Sequence, residues 1–205
     1  MKRRFVQLGL MPFSVVAFHN KFLREARNSY VSGYNYAALT AICSLGERVL
    51  NHLVLGLRDN FKSTSSYRKI YRKDSFDNWS VAINALVEWE VLTKEAEAAF
   101  RDLEKRRNFA LHFNIEIEQR TDEFALEAIQ AFEKVVTSQF GALAESPWIF
   151  WEPGETYIRR DAETNPFVKL VYLPNCIFVG PQHTIRSVVP FVGRRRALYR
   201  GGDFG

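Results

Sequence analysis

The stretch from Asn35 to Leu57 constrains the fold more than any other part of the chain. Leu39, Ile42, Leu45, Val49, Leu53 and Leu57 recur every three or four residues. That spacing puts them on one stripe of an α-helix. A stripe this long must be covered by other helices, so a mainly helical body is expected. Ala38, Ala41 and Gly46 are small enough to let a neighbouring helix come close. Glu47 and Arg48 interrupt the apolar run, and the simplest reading is that both face solvent.

The flanking sequence supplies partners for that helix. Phe13 to Tyr30 carries Val15, Val16, Phe18, Phe22, Leu23 and Ala26 at near-helical spacing and stops near Ser32-Gly33, where glycine ends helices readily. Asp77 or Asn78 can cap a helix through Trp79, Val81, Ala82, Ala85, Leu86 and Trp89. Leu92-Thr93 reads as a break. Thr93 can then cap a helix from Lys94 to Phe113, with Glu95 and Glu97 favourably placed in its first turn. A last helix is expected from Glu123 to Phe140, with Phe124, Ala128, Phe132, Val135 and Val136 on its stripe and Gly141 after it. Phe5 to Leu10 reads as a short strand. Asp59 to Asp77 is polar and reads as a loop carrying Arg68, Lys69, Arg72 and Lys73.

At Ser146-Pro147 the character changes to Pro, Gly, aromatic and β-branched residues. Phe167 to Leu173 reads as a strand, Pro174-Asn175 as a turn and Cys176 to Val179 as a second strand. Thr156 to Arg160 and Ile185 to Val192 are further strand candidates. The expectation is therefore an antiparallel helical bundle over 1–145, with a small β-rich extension and basic tail over 146–205 packed on it.

Composition excludes several classes. Apolar residues make up 47% and charged residues 25% of 205, enough for an ordinary soluble core. No apolar run approaches the roughly 18 residues of a membrane helix, so no membrane partner is expected. The start, Lys2-Arg3-Arg4 then Phe5 to Phe18, mimics a signal peptide. Gln7, Pro12 and Ser14 interrupt it, however, and no small-residue cleavage site follows. Cys43 and Cys176 are far apart and support neither a disulfide framework nor a zinc site, so a cytoplasmic protein is expected. His19, His52 and His183 show no metal-ligand spacing. There is no phosphate-binding glycine loop and no nucleophile elbow, so no metal or cofactor is expected. Trp148, Phe150, Trp151 and Tyr157 suit either base stacking or a seam joining the extension to the bundle. The net charge of +5 is a mild bias toward polyanions. It is concentrated at Lys2 to Arg4, Arg68 to Lys73, Arg106-Arg107 and Arg194 to Arg196. Scattered solubilising charge is an equally good account of it.

One constellation carries chemistry: Arg107-Asn108-Phe109-Ala110-Leu111-His112, in the penultimate helix and followed by one more helix. It resembles the signature of HEPN domains, an arginine followed after four to six residues by a histidine, with the asparagine of the commonest ribonuclease variant. The helical order of residues 13 to 140 resembles that family too. What the resemblance implies is a metal-independent endoribonuclease acting as a toxin or antiphage defence effector. In it two protomers pair so that both motifs meet in one cleft. Cleavage uses the RNA's own 2′-hydroxyl and leaves a cyclic phosphate. An inhibitory antitoxin or regulatory protein is implied as a further partner.

The residues suit that chemistry. The imidazole of His112 exchanges protons near neutral pH. The guanidinium of Arg107 presents a fork of donors to phosphate and stays charged. Asn108 lies four residues before His112, on the same helix face, and can orient the ring or donate to substrate. Arg107 and His112 lie about 140° apart around the helix, a difficulty that a long arginine side chain or a shared cleft removes. Some HEPN ribonucleases add an acidic side chain from an earlier helix, and Glu47 is the candidate here. Arg106, Arg68, Lys69, Arg72 and Lys73 are candidates for gripping the RNA backbone. The competing readings are a helix-terminal cation for His112, surface ion pairs with Asp102 and Glu104 for the arginines, and a HEPN module that binds nucleic acid or protein without catalysis.

Overall fold

Every residue of the Leu39–Leu57 stripe is buried, and so are Ala38, Cys43, Gly46, Leu50 and Val54 on its flanks. The helix that carries them, α3 (Asn35–Leu57), therefore has neighbours on most of its circumference. In the computed structural model the described residues are 2–111, 115–141, 147–152, 155–159 and 161–176, and the chain is mainly helical. Around α3 pack α2 (Ala17–Val31), α5 (Trp79–Glu88), α6 (Lys94–Leu111) and α7 (Ile115–Val135). The core they enclose includes Leu23, Trp79, Phe100, Leu103 and Phe132.

Local chemistry accounts for several helix starts. The Asn78 side chain accepts from the Val81 N–H at 3.2 Å and opens α5. The Thr93 hydroxyl accepts from Ala96 at 3.1 Å and opens α6. Helix α2 starts later than its periodicity suggests, because residues 14–16 are held extended. Ser14 forms an isolated antiparallel bridge with Gly141. Its hydroxyl accepts from the Val16 N–H, and the Asn20 amide brackets both its N–H and its carbonyl. These side-chain bonds compete with the helical pattern. Helix α7 starts before Glu123, with a kink at Arg120 (φ −129°, ψ 26°), and continues as a π-type run, Val136–Phe140.

Three segments correct the sequence reading. Residues 2–8 are a helix, α1 (Lys2–Leu8), and not a strand. A helix satisfies its own backbone where no sheet edge is at hand, and Arg4 pins it by donating to the Tyr30 carbonyl and to Asn35 Oδ1, both at 3.0 Å. The polar segment 59–77 is not a loop throughout. It holds a 3-10 turn (Arg58–Phe61) and a short helix, α4 (Ser65–Ile70). Thr64 caps α4, the Glu88 carboxylate accepts from the Ser65 and Ser66 N–H groups at 3.0 Å each, and Ile70 is fully buried. Phe167 to Leu173 is helical too, as a π-type run Val168–Tyr172 followed by one turn, Leu173–Asn175. Its β-propensity yields to packing. Phe167, Val168 and Tyr172 are completely buried, and the Tyr172 hydroxyl donates to the Gly141 carbonyl at 2.7 Å. The strand found near Thr156 belongs to a hairpin, β1 (Ile149–Glu152) antiparallel to β2 (Glu155–Ile158), with Ile149 opposite Ile158. The expected strand at Cys176 to Val179 reaches past the described residues after Cys176, and that at Ile185 to Val192 lies outside them, as do 142–146, where the extension was expected to begin.

Cys43 and Cys176 are both buried and free of any disulfide. Among the described residues no helix is long and apolar enough to cross a membrane.

His19 ties α2 to this framework, with its Nδ1 2.9 Å from the Ser14 hydroxyl. Burial, with His52 adding to it, pushes its pKa down to about 3. The unfolded chain takes up that proton near pH 6.5 and the folded chain does not. Stability is therefore expected to fall as pH drops from 6.5 toward 3. Urea midpoints across that range should slope less in His19→Gln; equal slopes would place the acid sensitivity elsewhere.

Candidate functional site

A glycine makes the site possible. A Cβ on Gly46 would lie 2.6 Å from Trp79 Cη2 and 2.8 Å from Leu103 Cδ2. The indole of α5 and the leucine of α6 thus press directly on the α3 backbone. Gly46→Ala is expected to cost about 1–3 kcal/mol by overpacking. It should lower the melting temperature by several degrees and change the Trp79 fluorescence; an unchanged melt would show that Trp79 moves aside freely.

Pressed there, Trp79 turns its Nε1–H to Glu47 Oε2 at 3.2 Å. Arg107 Nη2 donates to the same oxygen at 3.1 Å, and the guanidinium carbon stands 5.7 Å from the centre of the Trp79 ring, within cation–π range. Three helices meet in this cluster: Glu47 from α3, Trp79 from α5 and Arg107 from α6. The Arg107 side chain keeps 19% of its exposure and Glu47 38%, so solvent reaches both. Asn108 is exposed, with its Oδ1 3.4 Å from Arg107 Nη1.

The neighbouring arginine is differently engaged. Arg106 donates from Nε to Asp102 at 3.1 Å and pairs with Glu127 of α7. Its offset of about 100° from Arg107 around α6 turns it toward α7. The expected ion pair with Asp102 is therefore formed, while Glu104 accepts instead from the Ser80 hydroxyl at 2.7 Å. Phe109 is 42% exposed and stacks on Phe124 at 5.7 Å. Cys43, one turn before Glu47, is pushed up to about 12 by burial, against the pull of Arg107 and Arg106. It stays a thiol and is no nucleophile at neutral pH. His112 lies outside the described residues.

The basic residues of the α4 region do not join the cluster. Arg68, Lys69, Arg72 and Lys73 are all exposed. The segment that follows α4 is moored to α3 at two levels: Asn51, one turn past Glu47, makes two bonds to the Phe76 backbone, at 2.7 and 3.0 Å, and Arg58 Nη1 donates to the Lys73 carbonyl at 2.6 Å. Glu47 and Arg58 are separated by about 16 Å of helix. The structure thus gathers Glu47, Arg107 and Asn108, and anchors the segment that follows α4 between Asn51, one turn past Glu47, and Arg58, about three turns past it.

Trp79 was legible only as a core residue. Its second role depends on Gly46 standing next to Glu47, a signal that a pairing of α3 with α5 would have been needed to read. Among the described residues no group of three or more His, Cys, Asp or Glu side chains could hold a metal ion. A cavity of about 240 Å³ opens between Phe18, His52, Leu53, Phe140 and Val171, and none of the candidate site residues lines it. No family model, no curated protein and no solved structure matches this chain.

Proposed function

We propose that this protein is a HEPN-like endoribonuclease that cleaves RNA by attack of the substrate's own 2′-hydroxyl. The observation that carries the reading is the contact between Glu47 and Arg107, sixty residues apart in the chain and 3.1 Å apart in the fold. A carboxylate and an indole together aim the guanidinium, and an aimed guanidinium is a preorganised donor to phosphate. Asn108 stands beside it, and His112 follows four residues after Asn108 in the sequence.

The roles follow from the chemistry. Arg107 binds the scissile phosphate and stabilises the charge that builds on its oxygens. Glu47 and Trp79 are positioning residues that act through Arg107. His112 takes the proton from the 2′-hydroxyl as its oxygen bonds to phosphorus. The 5′-oxygen–phosphorus bond breaks, the 5′-oxygen receives a proton, and a cyclic phosphate remains. A second protomer would bring a second imidazole for that last transfer. A homodimer with a shared cleft, an antitoxin or regulatory partner, a cytoplasmic setting and a role as toxin or defence effector all rest on the resemblance.

A second reading, a HEPN-like module that binds without catalysis, is favoured by one observation: both Arg106 and Arg107 already hold carboxylate partners within the chain. Incubating purified protein with total cellular RNA in excess chelator separates the two. Cutting by wild type that disappears in Arg107→Ala and His112→Ala supports the nuclease. Cutting that survives in both variants removes these residues from the chemistry, and binding with no cutting favours the module.

A further inference from the structure

The short helix α4 carries more than positive charge. Tyr67 and Tyr71, four residues apart, stack with ring centres 5.8 Å apart and planes 27° apart. The Arg72 guanidinium folds back to 5.0 Å from the Tyr71 ring centre. Tyr71 is 42% exposed, so its ring is open to solvent. Successive positions on this turn therefore present a ring, a second ring and a flat cation. Arg68, Lys69 and Lys73 stand exposed around them.

The assembly is held from several sides. Ile70 anchors it in the core. Thr64 caps it and also accepts from Trp89 Nε1 at 2.9 Å, and the Trp89 ring lies flat on Phe61 at 4.7 Å. Glu88 seals the first turn by accepting from the Ser66 and Ser65 hydroxyls and from both backbone amides, and these bonds, the Ser66 hydroxyl's foremost, pull its own pKa below the usual carboxylate range. The N-terminal amides of α4 already have their anion, so the exposed chemistry of this segment lies on its outer face. A surface fixed in this way loses little freedom when a flat ligand lands on it.

We propose that Tyr67, Tyr71 and Arg72 form a stacking platform for unpaired nucleic-acid bases, with Arg68, Lys69 and Lys73 taking the adjoining phosphates. The substrate is then single-stranded RNA or an RNA loop, since paired bases offer no free face to a tyrosine ring. Charge selects a polyanion, and stacked aromatics select one with exposed π-faces; an anionic lipid surface or an acidic peptide meets only the first condition. The inference rests on RNA being the substrate of the proposed function, but not on catalysis. Glu88, which closes α4, stands about 13 Å along α5 from Trp79, so the platform would grip nucleotides outside the scissile step.

The test is fluorescence anisotropy with His112→Ala protein in chelator, which keeps the probes intact. The probes are a labelled uridine-rich oligoribonucleotide and a duplex of the same length. Tyr71→Ala is expected to weaken binding of the single strand about tenfold and leave the duplex unchanged, while Tyr71→Phe keeps wild-type affinity because the ring remains. Lys69→Ala should weaken both probes and lower the salt dependence by about one phosphate contact. Unfolding midpoints of the exposed-site variants check that the fold is unchanged. A duplex bound as tightly as the single strand, a Tyr71→Ala loss shared equally by both probes, or binding of anionic vesicles with none of RNA would each overturn the platform. No cutting is read in this experiment, so failure of the nuclease reading does not move its result.

Discussion

His112→Ala is expected to lower RNA cleavage by about 10²–10⁴-fold, the usual contribution of a positioned general acid–base. Arg107→Ala should lose a similar factor for a different reason, because an electrostatic donor aimed at the phosphorane is worth as much as a proton shuttle. The two variants separate in a pH profile. Without the imidazole the limb near neutral pH should disappear, whereas without the guanidinium it should persist at reduced height. Arg107→Lys should rescue little, since a lysine cannot offer the fork that faces Glu47 and a phosphate at once. Glu47→Gln keeps the shape and can still accept from Trp79, so its loss should be smaller and fall mainly on kcat. Cleavage of a fluorogenic RNA, followed from pH 5 to 9 in chelator, reads all four. A Glu47→Gln enzyme as impaired as His112→Ala would mean that the carboxylate takes part in the chemistry and does not merely aim Arg107.

Arg27→Ala should cost the protein roughly 3–5 kcal/mol, because it strands a buried carboxylate. Arg27 leaves α2 with a side chain only 8% exposed and pairs with Glu133 of α7, itself 13% exposed. The same guanidinium donates to the Leu8 carbonyl at 3.5 Å and the Gly9 carbonyl at 2.5 Å, so one residue joins the end of α1, α2 and α7. Burial raises the pKa of Glu133 even with Arg27 pulling it down. Removing the arginine removes that pull and raises it further. A carboxyl whose folded pKa exceeds its unfolded value loses stability as pH rises through the folded value. The variant should therefore be most impaired at neutral pH and recover part of its deficit toward pH 4. Adding Glu133→Gln should restore much of the loss at pH 7, through a coupling that a double-mutant cycle on urea midpoints measures. Independent, additive losses would show that the pair is not the joint.

The legible parts of this fold are those written in neighbouring residues. The stripe of α3 runs from Asn35 to Leu57 with the bounds its periodicity predicts, since each turn repeats the same demand for burial. The caps at Asn78 and Thr93 are equally local, each a side-chain oxygen three residues from the amide it satisfies. Arg107-Asn108 could be marked for the same reason, as a short pattern on one helix. Glu47 came from the resemblance, and its periodicity alone assigned it to solvent.

What only the tertiary structure decided are outcomes that depend on partners far along the chain. Residues 2–8 are helical because Arg4 finds Tyr30 and Asn35. The serine-rich run at 65 becomes a helix because Glu88, more than twenty residues later, closes its first turn. Val168–Tyr172 gives up its strand preference because Tyr172 reaches Gly141. In each case the local preference is worth about 1 kcal/mol or less, and a buried aromatic or a charge-assisted bond outweighs it. The site obeys the same rule. By itself the sequence marked Arg107 and Asn108 as adjacent polar positions on α6. That Trp79 and Arg107 donate to one oxygen of Glu47 was decided by α3, α5 and α6 closing over Gly46, where a missing Cβ lets three helices meet.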